Sequence, residues 1–310
     1  TAAKIASDKI LMKDYFKEHG ISVPWYKEIY SVSDLSKEII DKNKVYVIKP
    51  VDSRGARGVQ KINMDSNFEA VFDEAIKNSP SKRVMIEEFI GGPQLSTESI
   101  VYENKSYTIG LSDRNYELLE KFAPHIIEDG GDLPASLNEN QKKNVEALIE
   151  DISSALEISN GVIKGDIVFD HNSDIPIVIE VATRLSGGYF CSHEIPMSTG
   201  VDFLSCAIKL SLGEPINLKD LEIKTSNFIC QRYLFSAEGV VAAVPKIDNI
   251  LNLRGIKFLS MRIQVGDIIK STKSHPGRAG VVIAEGSSRE QAKENANNAI
   301  LEMQKQLIVR

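Results

Sequence analysis

The chain has little cysteine and almost no tryptophan: three of the former and one of the latter. Cys191, Cys206 and Cys230 have no metal-like spacing, and an odd, sparse count argues against a disulfide scaffold and for a reducing cytoplasm. No apolar run approaches the ~20 residues a bilayer-spanning helix needs, and no signal peptide is visible. Positive charge is not in excess. The formal net charge of −6 argues against a general nucleic-acid binder. Internal repeats and low-complexity tracts are missing. His19, His125, His171, His193 and His275 show no ligand spacing, and no Ser-His-Asp or Cys-His pattern stands out. What remains is an ordinary composition, 26% charged and 42% hydrophobic over 310 residues, enough for two or three domains. The chain starts at Thr1 inside a well-patterned helix, which points to native sequence upstream.

The richest stretch runs from Gly165 to Gly188. Gly165-Asp166-Ile167-Val168-Phe169-Asp170 and Ile177-Val178-Ile179-Glu180-Val181-Ala182 read as two strands of a hairpin, each carrying an acid. Side chains alternate along a strand, so Asp166 shares a face with Val168 and Asp170, and Glu180 with Val178 and Pro176. Asp166 lies opposite Glu180 only if the turn is odd-numbered or a bulge falls within residues 171–174. Directly opposed carboxylates, with Cβ atoms about 5 Å apart, repel unless a cation lies between them. Magnesium suits such a pair, because it takes a few carboxylates together with phosphate oxygens. Two solvated strand acids are the competing account. Arg184 and Gly187-Gly188 follow at once. A guanidinium grips phosphate or carboxylate at two points, although a salt bridge to Glu180 would equally explain Arg184.

Upstream, Val45 to Pro50 is an apolar strand holding Lys49, which suits a phosphate at the strand end or, alternatively, a water-facing edge. The loop Ser53 to Gly58 can present N–H groups to phosphate, with Arg54 and Arg57 adding charge. A strand resumes after it, so this is not a Walker loop, which needs a helix. Glu87-Glu88-Phe89-Ile90 ends the strand Val84 to Ile90 and can offer main-chain groups to a flat ring, although taken alone it reads rather as an ordinary strand exit. Helices are expected over 7–20, 33–42, 67–77, 138–156, 200–212 and 289–307. Strands are expected over 95–102 and 105–111, and the stretch 112–136 reads as irregular. Beyond Pro215 short strands dominate over 228–235, 239–244, 257–265 and 279–285.

In this order the motifs resemble the ATP-grasp ligases over about residues 7 to 213: the Asp8-Lys9 helix, the Lys49 strand, the glycine loop, Glu87 to Gly91, Glu98, Asp166, and Glu180 to Gly188. The tail, His275-Pro276-Gly277-Arg278-Ala279-Gly280-Val281-Val282 with Gly286 and a helix, resembles the C-terminal domain of the L-amino-acid ligase branch. The resemblance implies an α+β ATP-grasp fold, two lobes clasping ATP, plus a small C-terminal α+β domain. It divides the chain into a helix and lid subdomain over 1–91, a large subdomain with the metal site over 92–215, and a C-terminal domain over 216–310. It also implies an N-terminal domain missing from this sequence.

As implied by the resemblance, Lys9 and Lys49 approach the nucleotide, Ser53, Gly55 and Gly58 form a lid, Glu87 to Ile90 hold adenine, Gln94 and Glu98 complete the ATP site, Asp166 and Glu180 hold Mg2+, and Arg184 stabilises an acyl-phosphate. Lys49 and Arg184 are the catalytic candidates. The implied reaction is ADP-forming carboxylate–amine ligation on an amino acid or similar small molecule, with ATP and small carboxylates and amines as partners, no nucleic acid, no membrane, and room for a second subunit on the C-terminal domain. The alternatives are a phosphoribosylglycinamide-synthetase-like or carbamoyl-phosphate-synthase-like ligase, and a nucleotide-binding regulator without turnover. Ser112 to Arg114 and Glu128 to Pro134 are equally readable as acceptor pocket or plain loop. Two departures stand out. Ala182 occupies a place where an asparagine metal ligand is common, and Gln94 a place where an acid often grips ribose. The first weakens a second magnesium and leaves an inactive member open.

Overall fold

Two helices open the chain, α1 (Ala2–Ser7) and α2 (Lys9–Glu18). The computed structural model describes residues 1–39, 41, 43–170 and 173–310. Asp8 caps α2 by accepting from the N–H groups of Ile10 and Leu11 at 3.0 and 2.9 Å. The apolar face of these helices, Ile5, Met12 and Phe16, enters a core with Val145, Ile149, Ile152 and Val178. The opening helices therefore pack on the large lobe, while Ile10 of α2 also meets Val51 and Met85 of the lid with which they were grouped.

The lid follows as β1 (Tyr26–Ile29), α3 (Val32–Glu38), β2 (Tyr46–Pro50), β3 (Gln60–Ile62), α4 (Phe68–Lys77) and β4 (Val84–Glu88). Its sheet has the order β1-β4-β2-β3, covered by Leu35 and Phe72 from the helices. Helix α3 is shorter than expected, and Lys42 lies outside the described residues. Strands β2 and β3 are antiparallel, so the glycine loop joins strand to strand, as read. Gly58 must be glycine. Its φ is +69°, and an added Cβ would come within 3.0 Å of Asn78 Cβ and 3.1 Å of Pro50 Cγ.

The large lobe contains β5 (Gln94–Tyr102), β6 (Lys105–Asn115), α5 (Leu119–Phe122), β7 (Gly130–Leu133), α6 (Glu139–Ala155), β8 (Gly161–Phe169) and β9 (Pro176–Ala182). The stretch read as irregular thus holds a strand. Gly130-Gly131-Asp132 has almost no intrinsic preference for strand, and β7 is held by pairing on both sides, with β6 and β10 (Phe228–Leu234). Asn138 and Gln141 form a capping box at α6.

In the β8–β9 hairpin Asp166 does lie opposite Glu180. The bulge that makes this so is not in the turn, as expected, but in the strand: Ile167 pairs with Val178, leaving Ile179 as the extra residue. The bulge also overturns the expected sharing of a face. Val178 and Val181 are buried in the core, while Ile179 and Glu180 line the cleft. Of the turn, His171 and Asn172 lie outside the described residues.

After a π-helical turn (Phe190–Glu194) come α7 (Ile195–Thr199) and α8 (Phe203–Ser211), then β10, β11 (Gly239–Ala243), α9 (Ile247–Leu251), β12 (Ile256–Met261), β13 (Ile268–Ile269), β14 (Gly280–Gly286), α10 (Arg289–Gln306) and β15 (Ile308–Val309). The central sheet runs β12-β14-β10-β7-β6-β5-β8-β9. It crosses the boundary expected near residue 216 without a break, so β10, β12 and β14 extend the sheet of the large lobe, while β11, β13 and β15 form a small sheet of their own. Helix α10 covers β10, β12 and β14 with Ala292, Ala296, Ala299 and Met303. The cysteines are buried and free. Among the described residues, no helix is long and apolar enough to cross a membrane.

Candidate active site

Between the lid and the central sheet lies a cleft of about 930 Å³. One end is built on β2 and β4, where Val47 pairs with Glu87 and Lys49 with Met85. Lys49 sits on an inner strand and is 3% exposed, so it is not the water-facing edge lysine of the alternative account. Its ammonium contacts the Glu87 carboxylate, which also pairs with Lys13 at 3.0 Å. Burial opposes the charge of Glu87, but the two lysines outweigh it and hold the carboxyl below its ordinary value. Burial brings Lys13 down to about 8 against the pull of Glu87. Two cations thus share one anion. The surplus positive charge suits a phosphate, and Glu88, Phe89, Ile90 and Gln94 continue the wall. Lys13 escaped the sequence reading. Its only signal is its place one turn after Lys9.

The floor is the face of the central sheet, and strand register sets it. One row runs Ser112, Ser96, Asp166, Glu180 across four strands. The next runs Glu98, Lys164, Ala182. On the other side, Arg114, Gly131 and Gln231 form a third. Asp166 accepts from Arg114 at 2.9 Å and contacts the Lys164 ammonium. Burial alone would raise its carboxyl, but Arg114 and Lys164 hold it well below the usual carboxylate range. Glu180 pairs with Lys9 at 3.5 Å, and Lys9 also donates to the Ser53 carbonyl at 2.9 Å, tying α2 to the glycine loop. These are not two solvated strand acids.

Arg184 lines the cleft, is exposed, and has no acidic partner among the described residues, so a salt bridge to Glu180 does not account for it. Ser53, Arg54, Gly55 and Arg57 reach the wall, whereas Gly58 packs away from it. Glu98 is not brought to the wall either. It is fully buried and accepts from the Ser186 N–H at 3.0 and 3.3 Å, and burial pushes its carboxyl up to about 7. Of the two loops read as pocket or plain surface, Ser112, Asp113, Arg114, Glu128, Gly130 and Gly131 reach the cleft.

The C-terminal strands close the far side with Gln231, Tyr233, Arg262, His275 and Arg278. The His275 N–H donates to the Gly55 carbonyl at 3.0 Å, joining this wall to the lid loop. Burial and the neighbouring Arg278 guanidinium depress the His275 imidazole to about 3. Sequence spacing gave no reason to single out this histidine, because its contacts come from strands far away in the chain.

The donor set bears on an implied metal. Among the described residues no group of three or more His, Cys, Asp or Glu comes together. Asp166 and Glu180 offer two carboxylates side by side, with the lysine-rich end of the cleft beside them. That set does not fit a bare divalent ion. It does fit magnesium carried by a nucleotide, whose phosphate oxygens supply the remaining ligands.

Comparison with known proteins gives the same frame. The ATP-grasp domain family matches residues 6–188, and the family described as L-amino acid ligase C-terminal domain 2 matches residues 232–305. A D-alanine–D-alanine ligase from Paracidovorax citrulli is 21% identical over 230 residues, covering 72% of this chain and 67% of that protein. The chain spans 67%, 44% and 20% of the length of three curated relatives it matches. An L-amino acid ligase structure from Bacillus licheniformis superposes with a TM-score of 0.82 at 18% identity, covering 100% of this chain and 74% of that one. The biotin carboxylase domain of Hydrogenobacter thermophilus 2-oxoglutarate carboxylase, solved with MgADP and bicarbonate, gives 0.70 at 15% identity, covering 99% and 67%. At such identities the structural likeness speaks for the fold. With more than half of its residues matched by the family, and with the fold and cleft described above, the chain belongs to the ATP-grasp family.

Proposed function

We propose that the chain is an ATP-dependent carboxylate–amine ligase that works through an acyl-phosphate, on an amino acid or a similar small molecule. One observation carries this reading. A single cleft gathers the Lys49–Glu87 end, the glycine loop, the opposed Asp166 and Glu180, and Arg184, which has no acidic partner among the described residues. In the reaction, a substrate carboxylate oxygen attacks the γ-phosphorus of ATP and ADP leaves. An amine nitrogen then attacks the acyl carbon, phosphate departs, and the amine loses a proton.

Lys49 and Lys9 position phosphate oxygens, and the loop at Ser53 and Gly55 covers them. Main-chain groups from Glu87 to Ile90 hold the adenine edge, and Gln94 faces the ribose. Asp166 and Glu180 would hold magnesium, which neutralises phosphate charge when bound. Arg114 and Lys164 keep Asp166 ionised. Arg184 receives the negative charge that develops on the acyl-phosphate. Catalysis rests on positioning and charge stabilisation. We place the reaction in the cytoplasm, in keeping with the three free cysteines.

A second reading, a nucleotide binder without turnover, is favoured by one observation. Ala182 stands opposite Lys164, so this row of the floor adds a cation to the acid pair and no further metal ligand. The two readings separate when the protein is given ATP, magnesium and pooled amino acids and ADP and phosphate are followed. Release that requires an amino acid supports the ligase. ATP binding by calorimetry without release, across amino acids, bicarbonate and purine precursors, supports the binder.

A further inference from the structure

Six carboxylates of the cleft wall, Glu87, Glu88, Asp113, Glu128, Asp166 and Glu180, each have a lysine or arginine within ion-pair reach. Glu194 also lines the cleft and is 3% exposed, yet among the described residues it has no such partner. Its orientation is set by Gln231, whose side-chain amide donates to Glu194 Oε1 at 2.7 Å and to the Gly188 carbonyl at 2.5 Å. Two acceptors are thus drawn together at the end of the π-helical turn, a helix form often found at functional sites. The cation acting on Glu194 through space is Arg232, which is already bound to Asp132 at 3.1 Å. Beside Gln231 the floor is bare: Gly131 separates it from Arg114, two strand spacings or roughly 10 Å away. A buried carboxylate facing open space without a cation is costly to keep ionised. A ligand that brings the cation removes that cost.

We propose that Glu194, braced by Gln231, is the counter-ion for a primary ammonium on the acid that the enzyme activates. This rests on the ligase reading and narrows it: the activated substrate is an amino acid. The ammonium belongs to the activated acid and not to the attacking amine. A carboxylate partner stabilises the protonated form, and a protonated amine has no lone pair with which to attack. The contact therefore also keeps the activated acid's own nitrogen from acting as the nucleophile.

The test uses the full chain with ATP and magnesium, hydroxylamine as a neutral nucleophile, and two matched series of acids: L-amino acids and the 2-hydroxy acids with the same side chains. Hydroxylamine displaces phosphate from any acyl-phosphate and gives a hydroxamate, so only the activated acid is varied. We expect amino acids to exceed their hydroxy counterparts by roughly tenfold to a hundredfold in kcat/KM for ADP release. Glu194→Gln should erase that preference through the KM of the acid, with the KM for ATP unchanged, and Glu194→Asp should retain part of it. An unchanged melting temperature shows that the variants fold. Equal use of the two series by the native protein, or a preference that survives in Glu194→Gln, overturns the inference and leaves the ligase standing. ADP release from neither series, with ATP bound, sinks the ligase reading and the inference with it.

Discussion

Glu87 and Glu194 are the same side chain at the same burial, each 3% exposed, at opposite ends of one cleft. Glu87 lies between two lysines and is held ionised. Glu194 has a neutral amide as its side-chain partner among the described residues, and burial, with Glu128 and Asp132 nearby, raises its carboxyl well above the ordinary value. Burial penalises both charges alike, so the partner decides the protonation state. The nucleotide end comes with its charges already matched, and more positive than negative. At the other end Glu194 has no lysine or arginine within ion-pair reach among the described residues.

The contrast breaks most visibly at Glu87. Glu87→Gln leaves Lys13 and Lys49 buried without an anion, and we expect a loss of about 3–5 kcal/mol in urea denaturation. A loss below about 1 kcal/mol would mean that the lysines find water or another partner, and the two ends would no longer differ.

His275, on the far wall against the lid loop, gives a pH signature. Its folded pKa of about 3 lies below the ordinary value near 6.5. Between those values the unfolded chain holds a proton that the folded chain lacks. The contribution is therefore whole above pH 6.5 and drains away as pH falls towards 3, by about 2 kcal/mol at pH 5. His275→Asn should flatten the loss of stability between pH 7 and pH 5 by about that amount. Identical slopes in the two proteins would show that the imidazole titrates normally.

On the floor, Glu180→Gln removes one ligand charge beside Asp166. Magnesium-dependent turnover should fall about tenfold or more, and unchanged turnover would remove Glu180 from the metal site.

The smallest effect sharpens the comparison. With no substrate present, Glu194→Gln replaces a carboxyl whose charge burial disfavours by a neutral amide of the same shape. Its Oε1 can still accept from Gln231, so stability at pH 7 should stay within about 0.5 kcal/mol of native. A cost near that of Glu87→Gln would reveal a cation on Glu194.

Local pattern carried much of the fold into view. The glycine loop between strands, the capped helices and the acid on each arm of the β8–β9 hairpin all follow from spacing and turn residues. Strand β7 did not, because Gly130-Gly131-Asp132 is a strand only through its neighbours β6 and β10. The opposition of Asp166 and Glu180 was legible as a condition on register. Its origin in the extra residue Ile179 was not, because nothing in the apolar run Ile177 to Ile179 marks where a bulge falls. Glu98 looked like a cleft residue from its place in the motif order, but it lies beneath Ser186.

By itself, the sequence determined the kind of chemistry the molecule can carry: an apolar strand with Lys49, a flexible loop, two acids and an arginine in an order that resembles a nucleotide ligase. Those are matters of residue type and near-neighbour spacing, which the chain states directly. Only the tertiary structure decided which charge meets which. Lys13 with Glu87, Arg114 with Asp166, His275 against the lid loop and Glu194 without a cation are pairings across distant strands and helices. Electrostatic energy depends on separation in space and on burial, and neither is written in separation along the chain.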